Sequence, residues 1–148
     1  MAEGTVQSIE ISASPETVFA VLADLPAYPE WISAMRSVVV MEETDDGLPA
    51  TARFEVDAMV KVISYELNYE CDAPHRMAWR AVPGDDITEM EGSYDLKDSE
   101  DGCTEVVYAL KVDYSFPLPG FLRRQAEKQL VGNALRGLKK RVEEVQTG

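Results

Sequence analysis

The last quarter of the chain constrains everything before it. Pro117-Leu118-Pro119-Gly120 opens one uninterrupted amphipathic stretch that reaches about Val145. At 1.5 Å per residue, about 25 helical residues span roughly 37 Å. A compact domain of this length has a radius of gyration near 15 Å, so such a helix crosses the whole molecule. The preceding segments are short and strand-like, so the helix must lie over a sheet built mostly of hairpins. That pairing suggests a grip closed around a space.

The strands are read from a change of period. Val6 to Ile11 is a first strand, and Ser14-Pro15-Glu16 starts a helix. There the serine oxygen can cap free amides, proline sits where no hydrogen bond is lost, and glutamate complements the dipole. Val18, Phe19, Val21 and Leu22 give that helix its buried stripe, and Asp24-Leu25-Pro26 ends it. Tyr28 to Ile32 reads as a second, short helical turn. From Met35 the period becomes two. Met35 to Glu42 is followed by the turn Glu43-Thr44-Asp45-Asp46-Gly47. Ala52, Phe54, Val56 and Ala58 then alternate with charged residues, and Ile63, Tyr65, Leu67 and Tyr69 with polar ones. Met77 to Val82 follows the turn at Asp72-Ala73-Pro74-His75. Met90, Gly92, Tyr94 and Leu96 form the next inward set. Val106, Tyr108, Leu110, Val112 and Tyr114 form the last. Tight turns between consecutive strands imply antiparallel neighbours. The expectation is one α+β domain over residues 1–148, with seven strands, two short helices after the first strand and one long terminal helix.

Composition excludes several classes. The chain has 148 residues, 45% of them hydrophobic, and no apolar run approaches the ~20 residues of a membrane span. Its acidic start lacks the basic and apolar regions of a secretory signal. A net charge of −13 argues against nucleic acid, which needs a basic footprint. Cys71 and Cys103 make neither a disulfide framework nor a metal cluster, and a reduced cytoplasmic protein is the natural reading. No cofactor motif is present: the glycines are scattered singly, without a nucleotide-binding pattern. Half of the fourteen basic residues lie in the final helix: Arg123, Arg124, Lys128, Arg136, Lys139, Lys140 and Arg141. They form either a solvated face or a surface for an anionic partner, a peripheral membrane contact included.

The lone histidine, His75, sits in a turn beside proline, where a solvated side chain is the default and no metal site is implied. Neither cysteine has a basic residue beside it, so both read as structural. Tyr65, Tyr69, Tyr94, Tyr108 and Tyr114 fall on the apolar side of their strands, where a phenol either satisfies the core or orients a ligand oxygen. Arg80 is out of phase with Met77 and Trp79, which places it outside.

This order resembles the helix-grip superfamily of START lipid-transfer domains, birch-pollen-allergen-type proteins and polyketide cyclase/dehydrase-like bacterial proteins. The resemblance rests on Ala13-Ser14-Pro15-Glu16 with Val18-Phe19, on Asp24 followed by Tyr28-Pro29-Glu30-Trp31, and on Glu91-Gly92-Ser93-Tyr94. Asp101-Gly102-Cys103-Thr104-Glu105-Val106 and the proline-bounded helix complete it. It implies that the sheet curls around the C-terminal helix and leaves a cavity for an apolar ligand. Mapped onto the inward sets, the wall would be Phe54, Val56, Leu67, Trp79, Met90, Tyr94, Tyr108 and Leu110. These would face Leu122, Ala126, Leu130, Ala134 and Leu138, with Ala52, Gly92, Ala126 and Ala134 leaving volume. Trp31 would lie near one end of the final helix. Phe116, Pro117, Leu118 and Phe121 would form part of the opposite lip or a portal.

The function expected is binding of a hydrophobic small molecule such as a lipid, isoprenoid or polyketide. The alternative is a cyclase or dehydratase acting through pocket tyrosines, and alternation supplies no convergent acid/base pair for it. A monomer and a homodimer both fit, since an edge strand near the second strand allows pairing without demanding it.

Overall fold

The computed structural model describes residues 4–57, 61–115 and 119–147. Ala58, Phe116, Pro117 and Leu118, and the side chain of Tyr114, lie outside the described residues. The chain runs β1 (Thr5–Ile11), α1 (Pro15–Ala23), a 3-10 helix (Leu25–Glu30), then β2 (Met35–Glu43) and β3 (Pro49–Asp57). It continues through β4 (Val62–Asp72), β5 (Arg76–Val82), β6 (Ile87–Asp98), β7 (Thr104–Tyr114) and α2 (Gly120–Thr147). The strands form one antiparallel sheet in the order β1-β7-β6-β5-β4-β3-β2. Every neighbour from β2 to β7 is a hairpin partner, whereas β1 pairs with β7, with Thr5 opposite Leu110 and Ile11 opposite Thr104. The fold is therefore an α+β helix grip: a curved open sheet laid against one long helix.

Local chemistry sets the elements. Ser14 caps α1, its Oγ accepting from Thr17 N at 3.2 Å, and Pro15 opens the first turn. The 3-10 helix begins at Leu25, earlier than the Tyr28 start read from the sequence. Pro26 in its first turn has the φ a helix start needs, so the chain re-enters helical geometry directly after Asp24. Tyr28 secures the junction by donating its hydroxyl to Leu22 O at 2.5 Å. Register shifts interrupt β2 between Met35 and Ser37 and β6 between Ile87 and Glu89. Each bulge flips the phase of alternation, so Ile87 and Met90, three apart, both turn inward.

The core lies between the concave face of the sheet, α1 and the C-terminal half of α2. From α2 it takes Val131, Ala134, Leu135, Leu138 and Val142. Thr104, fully buried, donates to Ala13 O at 2.7 Å and ties β7 to the start of α1. The half of α2 nearer Gly120 is attached differently. Its one buried side chain among the described residues is Glu127, whose carboxylate accepts from Thr5 Oγ1 at 2.6 Å and Val112 N at 3.1 Å.

Candidate functional site

Two chambers open between sheet and α2. The inner one, of about 80 Å³, is walled by β3 to β7 and closed by Leu130 and Ala134 of α2. Its roof is Tyr28, Ile32, Ala34 and Met35, from the segment that links α1 to β2. The outer chamber, of about 270 Å³, is rimmed by Ser33, Asp57, Gln129 and Asn133, with Ile63, Ile87 and Val112 deeper in. The two share Ile32, Ala34, Val56, Tyr65, Met90 and Leu130, so they form one cleft with a tight apolar end and a wider polar-rimmed mouth.

The inner wall is a belt of aromatic rings running across five strands. Phe54 stacks on Tyr65 at 5.3 Å and 13°. Tyr69 lies 6.0 Å from Trp79, which meets Tyr94 at 5.3 Å and the edge of Tyr108 at 5.7 Å. The ring centres of Tyr94 and Tyr108 approach to 4.3 Å, tilted at 38°. Trp79 reaches this position because residue 92 is glycine. The indole occupies the space a side chain would need, so Gly92 makes room for an aromatic ring and adds nothing to the cavity. Ala52 is fully buried and borders neither chamber.

Burial pushes the phenols of Tyr28, Tyr69, Tyr94 and Tyr108 well above the usual tyrosine value, and most neighbouring phenols push in the same direction, Tyr108 acting the other way on Tyr94. At physiological pH they are neutral hydrogen-bonding groups. No carboxylate, lysine, arginine or histidine borders the inner chamber among the described residues, and no cluster of potential metal ligands is found among them. Asp57 lies at the outer rim. Such a surface can hold an apolar body, stack on flat rings and orient a carbonyl or hydroxyl.

Of the residues read from the sequence, Phe54, Val56, Leu67, Trp79, Met90, Tyr94, Tyr108, Leu110, Leu130 and Ala134 border the inner chamber, and Ala126 the outer one. Leu122 borders neither and is 42% exposed. Leu138 is buried in the core beyond the cleft. Sequence reasoning missed the roof. Alternation puts Tyr65 and Tyr69 of β4 on the apolar side with Leu67, as read from the sequence, and both border the inner chamber although the mapped wall leaves them out. The roof has a weaker signal, the helical i, i+4 spacing of Tyr28 and Ile32. Trp31 borders the outer chamber and meets α2 at Gly137, well inside the helix, where a side chain on residue 137 would lie 2.5 Å from Trp31 O. His75 is exposed in the β4–β5 turn, and Arg80 is exposed and paired with Glu91 at 2.7 Å.

Residues 4–143 match the family model described as polyketide cyclase / dehydrase and lipid transport. No curated protein sequence matches the chain. Among solved structures, it is similar to a START superfamily protein from Mycobacterium smegmatis, at 21% identity and a TM-score of 0.87, covering 96% of this chain and 98% of that one. It is also similar to the Zhui aromatase/cyclase from Streptomyces sp. R1128, at 15% identity and a TM-score of 0.82, over 97% and 94% of the two chains. A protein from Thermus thermophilus aligns at 25% identity with a TM-score of 0.80, over 97% and 99%.

Proposed function

Because the chain belongs to the polyketide cyclase / dehydrase and lipid transport family, we propose that it binds a hydrophobic small molecule bearing at least one oxygen function, of lipid, isoprenoid or polyketide type. The observation that carries this reading is the uncharged aromatic belt of the inner chamber, with its four protonated phenols. Burial of apolar ligand surface contributes about 2.5 kcal/mol per 100 Å². The phenols set orientation. A chamber of about 80 Å³ is smaller than the roughly 150 Å³ that admits a benzene ring. The ligand therefore occupies both chambers, its apolar end inward and its more polar end at the rim of Ser33, Asp57, Gln129 and Asn133. A cytoplasmic setting fits the two free thiols, Cys71 and Cys103.

A second reading, cyclase or dehydratase chemistry, draws on the likeness to an aromatase/cyclase and on the closely packed Tyr94–Tyr108 pair. In that case the pair donates to a developing enolate oxygen. Against it stands the raised pKa of each phenol, which removes them as bases at neutral pH.

Native mass spectrometry of the purified protein, with organic extraction of anything bound, tests the first reading. A co-purifying lipid or isoprenoid supports a carrier and names its class. Failure to take up any apolar probe, with the protein folded, sinks it. Tyr94→Phe and Tyr108→Phe separate the two readings: loss of turnover with binding retained favours the enzyme.

A further inference from the structure

Two large apolar side chains stand in solvent on the first turn of α2: Phe121 is 65% exposed and Leu122 42%. Arg124 and Lys128, both exposed, follow Phe121 at spacings of three and seven residues and share its face of the helix. Leu122 leads along the adjoining face to Ala126 and Gln129, which border the outer chamber. The tip is thus continuous with the mouth of the cleft. In a chain of net charge −13 this stretch is locally basic. Its one carboxylate, Glu127, is turned inward and buried, and Arg123 lies against Asp113 at 3.4 Å. Of the acidic groups on the neighbouring elements, Asp86 is paired with Lys61 at 2.7 Å and Glu89 with Lys111 at 2.9 Å, while Asp57 at the rim of the outer chamber and Asp85 in the β5–β6 turn are exposed.

We propose that this end of α2 docks on an anionic bilayer. Phe121 and Leu122 enter the acyl boundary, Arg124 and Lys128 engage the headgroups, and the mouth of the cleft is set against the lipid. Apolar side chains beside cations on a helical surface are the pattern that holds peripheral proteins to membranes. A second copy of the chain is a poorer occupant, because it would bring like charges together both at the tip and between two acidic bodies. The biological use of the docking rests on the reading of the cleft as a hydrophobic ligand site; the docking itself does not.

The test is co-sedimentation of the full chain with phosphatidylcholine vesicles, with and without phosphatidylglycerol, at low and at physiological salt. Binding should require the anionic lipid and weaken as salt rises, because the Debye length shrinks to about 8 Å at physiological ionic strength. Phe121→Ser with Leu122→Ser should weaken it roughly tenfold or more. Arg124→Gln with Lys128→Gln should weaken it and flatten the salt dependence. Arg136→Gln with Lys140→Gln, which removes the same charge further along the helix, should leave it unchanged. Absence of binding to the anionic vesicles overturns the proposal, as does equal loss in the Arg136/Lys140 variant. A dimer in solution that the Phe121/Leu122 variant abolishes would identify a second copy as the occupant and overturn it too. Uptake of an apolar solvatochromic dye without vesicles reads the cleft separately, so a protein that takes up dye and ignores vesicles loses the docking alone.

Discussion

The two halves of α2 are held to the same sheet by opposite means. From Val131 to Val142 the helix is anchored by apolar burial, with Val131, Leu138 and Val142 fully inaccessible. From Gly120 to Leu130 it is tethered by polar contacts: Glu127 to Thr5 and Val112, Arg123 to Asp113, and Gln7 Nε2 donating to Lys128 O at 3.3 Å. Apolar anchoring is spread over many contacts and yields only when the core does. A polar tether is local, and releasing it costs a fraction of global unfolding. The tethered half supplies Ala126, Gln129 and Leu130 to the mouth of the cleft, and the anchored half only Asn133 at its start, so access falls mainly to one stretch of the helix and stability to the other.

Substitutions can break or sharpen that contrast. Leu138→Ala in the anchored half should cost the most, about 2–5 kcal/mol of global stability by chemical denaturation. Gly137→Ala comes next. Its Cβ would lie 2.5 Å from the carbonyl oxygen of Trp31, and the clash should outweigh the gain in helix propensity for a net loss of about 1–3 kcal/mol. Glu127→Ala leaves the Thr5 hydroxyl and the Val112 amide without their acceptor, which should cost about 1–2 kcal/mol. Its signature is regional: amide exchange should quicken across residues 120–130 and stay slow from Val131 onward. Uniform acceleration along the helix would erase the distinction between the halves. Gly132→Ala should go the other way. Its Cβ meets only the ends of the Arg136 and Gln7 side chains, at 3.2 and 3.4 Å, so helix propensity wins and stability rises by about 0.5–1 kcal/mol.

The smallest effect is one of pH. Glu143, near the far end of the anchored half, has its carboxyl lowered from the usual glutamate value by the Lys139 hydrogen bond and by the Ser12 amide. A carboxyl lowered in the folded state stabilises the fold above its unfolded pKa, and this is lost as pH falls through the folded value. Denaturation midpoints should therefore decline on acidification below the ordinary glutamate range, and less so in Glu143→Gln.

Much of this architecture was legible in the sequence because each element carries its own local signal. Alternation placed the strands, the capping serine and proline placed α1, and the last proline bounded α2. What was left unread has physical reasons, the first being that periodicity assumes an unbroken phase. The bulges in β2 and β6 shift that phase by one residue, and nothing in the composition of Ile87-Thr88-Glu89-Met90 announces it. The row Leu122, Ala126, Leu130, Ala134, Leu138 fails for a geometric reason. Each step of four residues overshoots a full turn by about 40°, so the row rotates roughly 160° from one end to the other. Leu138 and Leu122 cannot both face the sheet. The buried position on the early turns belongs instead to Glu127, which charge counting groups with the solvated acids. A hydrophobic pattern cannot show a helix docked through a carboxylate.

The order of strands in the sheet also bears on how the protein is made. β1 leaves the ribosome first, yet its partner is β7, with Ile11 opposite Thr104. At about 5–20 residues per second, several seconds of synthesis separate the two strands. Contacts of such long sequence separation also form late in folding. The hairpins from β2 to β7 can assemble as they emerge, while β1 waits. The Thr5–Glu127 tether joins β1 to a residue of α2 that is translated later still. A nascent chain thus has its aromatic wall before it has a helix to cover it, and the cleft has no interior to fill until α2 has emerged.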